Sequence, residues 1–87
     1  GTVIVIETLG TGTESPAPAE ALLEYYKWLE EERGFARTAI RTDYLFESVA
    51  EAERITGAFF GNDFAAKVRE QQWRRVPECT GIWTRTV

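Results

Sequence analysis

The chain has 87 residues, 44% of them hydrophobic, and a formal charge of −4. That length suits one globular domain, and the composition is not that of a disordered segment. The acidic balance argues against a nucleic-acid surface, and no apolar run approaches the roughly 20 residues of a membrane-spanning helix. Cys79 is the only cysteine, which excludes an internal disulfide and fits a reducing, cytoplasmic setting.

In chain order, Thr2–Thr8 is predicted as a strand. Val3, Ile4, Val5 and Ile6 are consecutive β-branched residues, the pattern of a strand buried on both faces. Gly10–Pro18 is rich in Gly, Thr, Ser and Pro and reads as a loop. A helix is expected from about Pro18 to Arg33, with Glu20 at its positive end and Gly34 as a C-terminal cap. Ala19, Leu22, Tyr26 and Leu29 form its apolar stripe, and Tyr25 and Trp28 widen it. Ala36–Phe46 reads as a second strand, less buried than the first because of Arg41-Thr42-Asp43. Ser48 and Glu51 form a capping box that starts a helix at Val49. Gly57 and Gly61-Asn62-Asp63 divide this segment into two helices, with Asp63 opening the second. Pro77 cannot donate to a ladder, so pairing is expected after it, with Gly81–Val87 as the third strand. The expected fold is a single α/β domain over residues 1–87 with a three-stranded mixed sheet and the order β-α-β-α-α-β. The chain opens on Gly1 and contains no methionine, which suggests a processed or engineered start and a truncated parent.

The chain contains no histidine, so Cys–His and Ser–His mechanisms and a His-ligated metal are excluded. Cys79 is expected to be a buried, inert thiol. Gly10-Thr11-Gly12 lies between a strand and a helix, the setting of a dinucleotide-binding turn. Ser15 stands where the third glycine belongs, and Asp43 lies beyond the usual spacing of the ribose-binding acid, so a flexible loop is expected. Glu30, Glu31 and Glu32 read as a solvated helix end. Arg37 and Arg41, and the adjacent pair Arg74 and Arg75, read as solvated surface. Tyr25, Tyr26, Trp28, Tyr44, Trp73 and Trp83 are assigned to packing rather than to a pocket. Glu7 differs, because it lies toward the carboxyl end of its strand, where open α/β sheets place ligands. No catalytic residue and no metal site is expected.

Four stretches together carry a resemblance: Thr2-Val3-Ile4-Val5-Ile6-Glu7-Thr8-Leu9-Gly10-Thr11-Gly12, Arg41-Thr42-Asp43-Tyr44-Leu45-Phe46-Glu47-Ser48, Phe59-Phe60-Gly61, and Pro77-Glu78-Cys79-Thr80-Gly81-Ile82-Trp83. The chain resembles, from Thr2 to Thr86, the C-terminal half of a class I S-adenosylmethionine-dependent methyltransferase of the small-molecule, methyltransferase-domain type. The resemblance implies the corresponding half of a Rossmann-like sheet. Thr2–Thr8 and Ala36–Phe46 would be the family's fifth and sixth strands, and Gly81–Val87 the seventh, inserted antiparallel between them. The family's cofactor turn and ribose-binding acid belong to the N-terminal half and have no counterpart here. The resemblance therefore implies no cofactor bound by this chain and no activity from it alone. It also implies a role in completing the sheet and walling the acceptor pocket, with Glu7, Thr8, Thr11 and Tyr25 as substrate-binding candidates. The expected partner is an N-terminal methyltransferase half, or a second copy joined as a homodimer through the Thr2–Thr8 edge. Two other readings are a stand-alone homo-oligomeric module with a binding or assembly role, and a dinucleotide-binding half-domain.

Overall fold

The computed structural model describes residues 1–87. Its elements are β1 (Thr2–Thr11), α1 (Glu20–Lys27) prolonged by a wide turn at Trp28–Glu32, β2 (Ala36–Arg41), β3 (Tyr44–Leu45), α2 (Val49–Phe60), α3 (Asn62–Gln71), β4 (Arg75–Val76) and β5 (Glu78–Thr86). They form two compact units. One comprises Gly1–Thr42 and Pro77–Val87, the other Asp43–Val76.

The first unit holds a three-stranded sheet in the order β1-β5-β2. β5 is antiparallel to both neighbours, pairing Val5 with Trp83 on one side and Arg37 with Trp83 on the other. The last strand in sequence thus sits in the middle, as the resemblance implied. Both ladders are antiparallel, so the sheet expected to be mixed contains no parallel pairing. β5 begins at Glu78, directly after Pro77 and three residues earlier than the expected Gly81. The expectation that pairing starts only after Pro77 is corrected by the paired strand Arg75–Val76.

Opposed residues in an antiparallel ladder share a face. Val5, Trp83 and Arg37 therefore lie on one face of this sheet, and Ile4, Ile6, Ile82 and Ile40 on the other. α1 covers the first face. Tyr26 and Leu29 are buried with Leu9, Cys79 and Trp83, and Val5, Leu22 and Phe35 pack around them. The Tyr26 ring stacks on Trp83 at 4.5 Å, and Arg37 lies over the same indole at 5.7 Å. Burying side chains of this kind contributes about 1.5–3 kcal/mol each. The Trp83 Nε1 is buried without a hydrogen-bond partner. That costs about 1–3 kcal/mol, which the guanidinium over the ring partly offsets.

The expectation that Thr2–Thr8 is buried on both faces is corrected. Val3, Ile4 and Ile6 are 42%, 58% and 64% exposed. The reason is position: β1 is an edge strand, and α1 packs only on the Val5 face. β1 also reaches Thr11, so the loop expected from Gly10 begins at Gly12.

α1 starts at Glu20 rather than Pro18, because the preceding segment is tied to the strand by the Ala17 N–H donating to the Leu9 carbonyl at 2.7 Å. Its far end is where the sequence put it. Arg33 donates to the Trp28 carbonyl and Phe35 to the Leu29 carbonyl, with Gly34 at φ 71° supplying the left-handed cap.

In the second unit α2 and α3 pack as a helical pair beside the short β3–β4 ladder, which the sequence reading did not foresee. The expected strand over Ala36–Phe46 is broken at Thr42, whose N–H makes its bond to the Glu78 carbonyl, the first residue of β5. Beyond that point β5 offers no further partner, and Tyr44–Leu45 pairs with Arg75–Val76 instead. Ser48 caps α2 by accepting from the Glu51 N–H at 3.0 Å, while the Glu51 carboxylate accepts from the Glu47 N–H at 3.3 Å. Gly57 stays within α2, and Gly61 alone divides the two helices, so α3 opens at Asn62 with Asp63 in its first turn. Ala52, Val68 and Val76 form the core, with Phe46, Phe64 and Trp73 against it.

Candidate functional site

The polar groups of the first unit gather where β1 ends and β5 begins. Tyr26 reaches from α1 and donates its hydroxyl to the Thr8 carbonyl at 2.5 Å. Burial lifts the Tyr26 phenol above its ordinary value, and the Glu7 charge and Tyr25 push the same way while Arg37 opposes them. Glu7 and Tyr25 therefore both act on the Tyr26 phenol from the helix side of the sheet. Tyr25 is itself half-exposed and stacks on Trp28 at 6.2 Å. The widened apolar face of α1 ends in this exposed pair.

Thr8 and Thr11 belong elsewhere. The Thr8 side chain lies on the opposite face from Glu7, where its hydroxyl donates to Glu78 Oε2 at 2.9 Å and accepts from the Gly10 N–H at 3.1 Å. Thr42 and Thr80 share a hydroxyl–hydroxyl bond of 2.6 Å, and Thr80 is paired with Thr8 across the ladder. A bulge between Thr8 and Gly10 shifts the register and sets Thr11 opposite Glu78. The four residues expected to bind substrate are thus divided between the two faces of one strand end.

Tyr26 and Glu78 were not singled out from sequence as site residues. Tyr26 reads as an ordinary member of an apolar stripe, since nothing in a 3.6-residue period reveals that its hydroxyl will meet a strand carbonyl. Glu78 had a signal available, an acid between Pro77 and Cys79 at the start of a strand whose register faces Thr8 and Thr11.

The glycine turn is not a phosphate cradle. The Gly10 N–H is taken by the Thr8 hydroxyl, and the Gly12 N–H donates to the Pro77 carbonyl at 2.7 Å. Gly10 sits at φ 136°, and a Cβ there would meet Ala17 O at 3.0 Å, so it serves the bulge and the close approach of the loop. Cys79 is buried with its thiol 3.7 Å from the Thr13 carbonyl. No group of three or more His, Cys, Asp and Glu residues is placed to hold a metal ion.

Aromatic residues line cavities in both units. One of about 350 Å³ in the first unit is lined by Pro18, Leu23, Tyr26, Lys27, Glu30, Glu31 and Arg37, with Arg37 and Glu30 paired at 2.9 Å. One of about 260 Å³ in the second unit is lined by Tyr44, Phe46, Ile55, Thr56, Phe59 and Phe60. The Thr56 hydroxyl there is committed to the Ala52 carbonyl at 2.6 Å.

No family model, curated protein or solved structure matches this chain. The arrangement around Thr8 offers hydroxyls, one carboxylate and a carbonyl bound by a phenol. The hydroxyl and the carboxylate are paired with each other, Thr8 donating to Glu78 at 2.9 Å.

Proposed function

We propose that this chain is the C-terminal portion of a class I S-adenosylmethionine-dependent methyltransferase, completing the sheet and walling the acceptor pocket without activity of its own. The observation that carries the reading is the strand order. β5 lies between β1 and β2 and antiparallel to both, the insertion that the sequence resemblance implies for the family's last strand. Glu7, Tyr25 and Tyr26 lie toward the carboxyl end of β1, the end at which open α/β sheets receive ligands. These residues would shape the acceptor side of a pocket. The cofactor would be held by a segment outside the 87 residues, since both amides of the glycine turn are already spent on internal bonds.

A second reading, a stand-alone homo-oligomeric module with a binding or assembly role, is favoured by the exposed edge strand β1. The coding sequence upstream of Thr2 separates the two. The methyltransferase reading expects a strand, a glycine-rich turn and a helix there, in frame. A start codon immediately before this chain would contradict it.

A further inference from the structure

We infer that the edge of β1 from Thr2 to Ile6 is a self-pairing surface, which joins two copies of this chain in an antiparallel dimer with Ile4 on the two-fold axis. The inference belongs to the stand-alone reading of this chain, because in the methyltransferase reading the same edge of β1 would be taken by the missing half of the sheet.

The Gly1 amine donates to the Val87 carbonyl at 3.0 Å and the Val87 N–H to the Gly1 carbonyl at 2.9 Å. Gly1 and Val87 are therefore a hydrogen-bonded pair. Such pairs alternate along an antiparallel ladder, so Val3, Val5 and Glu7 also bond toward β5. Thr2, Ile4, Ile6 and Thr8 direct their N–H and C=O groups to the free edge. The structure closes that edge at one end: the Thr8 carbonyl is held by the Tyr26 hydroxyl, and the Leu9 carbonyl by the Ala17 N–H. What stays open in both N–H and C=O is Thr2, Ile4 and Ile6.

An open edge is normally blocked by lysine, proline or an inward charge. The two outer strands differ in this respect. β2 carries Arg37 and Arg41, whereas Thr2–Ile6 carries no charged residue and no proline. The face that bears Ile4 and Ile6 continues across the sheet through Ile82, Thr84, Thr38 and Ile40, again without a charge. In an acidic chain, this uncharged strip is where a second copy can approach without repulsion.

Register follows from two requirements. Like faces must coincide, so a residue must pair with one of the same parity. The pairing must also use Thr2, Ile4 and Ile6 and avoid Thr8. Centring on Ile4 meets both conditions. Ile4 then pairs with its own copy and Thr2 with Ile6 of the other chain, which satisfies the outward N–H and C=O groups of all three. The two Glu7 carboxylates end up about 20 Å apart at ~3.3 Å per residue, beyond the ~10 Å screening length. So short an edge buries less than the about 1,200 Å² of a stable complex, which makes the dimer reversible.

Sedimentation of the chain from about 10 µM to 1 mM tests this, a range set by the weak affinity expected of so small an interface. A concentration-dependent monomer–dimer equilibrium is expected. Ile4→Lys should weaken it at least ~10-fold, and Ile40→Lys, on the same face but the other edge, should leave it unchanged. Both side chains are exposed, so folding should survive, and circular dichroism checks that it does. Register is read from single cysteines. Ile4→Cys should cross-link to its copy on mild oxidation, since a hydrogen-bonded pair holds its Cα atoms about 5.5 Å apart. Ile6→Cys should not cross-link. A monomer at every concentration, a dimer that Ile4→Lys leaves intact, or cross-linking through Ile6→Cys would each overturn the inference.

Discussion

The Trp83 indole lies over Gly81, two residues back along β5, so closely that a Cβ on Gly81 would stand 2.5 Å from two of its ring carbons. The bare Cα of Gly81 is the floor on which the largest buried side chain of the first unit rests, and Tyr26 stacks on that same indole.

Gly81→Ala should therefore destabilise the protein by about 1–3 kcal/mol, through overpacking rather than through any change in strand propensity. At this chain length that corresponds to a melting temperature lower by roughly 4–8 °C per kcal/mol. A thermal melt followed by near-ultraviolet circular dichroism of the tryptophans checks it. An unchanged melt would show that Trp83 can leave Gly81 without cost.

The Tyr26 hydroxyl gives a pH signature. Its folded-state pKa is raised above the ordinary 10.0, mainly by burial. The folded protein thus holds this proton more tightly than the unfolded chain does. The resulting stability is fully present below about pH 10 and is lost as pH rises through the raised folded value. Tyr26→Phe removes the hydroxyl and its bond to Thr8, at a cost of about 0.5–1.5 kcal/mol near neutrality. The difference in urea midpoint between the two proteins should be constant from pH 7 to about pH 9 and narrow above pH 10. A gap that persists unchanged to about pH 11 would count against the proton being held in this bond.

Ser48 tests the second unit by itself. Its hydroxyl accepts from the Glu51 N–H at the start of α2, so Ser48→Ala should cost about 1 kcal/mol. Ser48→Gly should cost only a few tenths of that unit, because the cap position tolerates glycine. Helical circular dichroism during urea unfolding reports both, and equal losses for the two variants would argue against a capping role.

Local chemistry was the part of the fold most legible in the sequence. The Ser48–Glu51 box, the Gly34 cap and the Gly61 break each depend on one or two residues whose backbone needs are fixed. Burial of Thr2–Ile6 was misread because a run of β-branched residues reports what a strand can bury, not which neighbours are present to bury it. The middle position of β5 came from the resemblance alone, since periodicity carries no strand order. The β3–β4 ladder is two residues long on each side, too short for any alternation to register. The place of Glu7 in β1 and of Tyr25 on the wide face of α1 follows the sequence pattern. The division of Thr8 and Thr11 from them was not, because it depends on a bulge that forms only when β1 meets β5.

The central claim, that this chain supplies sheet and pocket wall but not the cofactor site, is tested most directly by titration calorimetry. S-adenosylmethionine is added to the 87-residue protein up to millimolar concentration. The account predicts heats no larger than those of dilution, because the amides of Gly10 and Gly12 are already bonded to Thr8 and Pro77 and no ribose-binding acid accompanies them. A saturating isotherm in the micromolar range would contradict it, and would place a complete cofactor site within these residues.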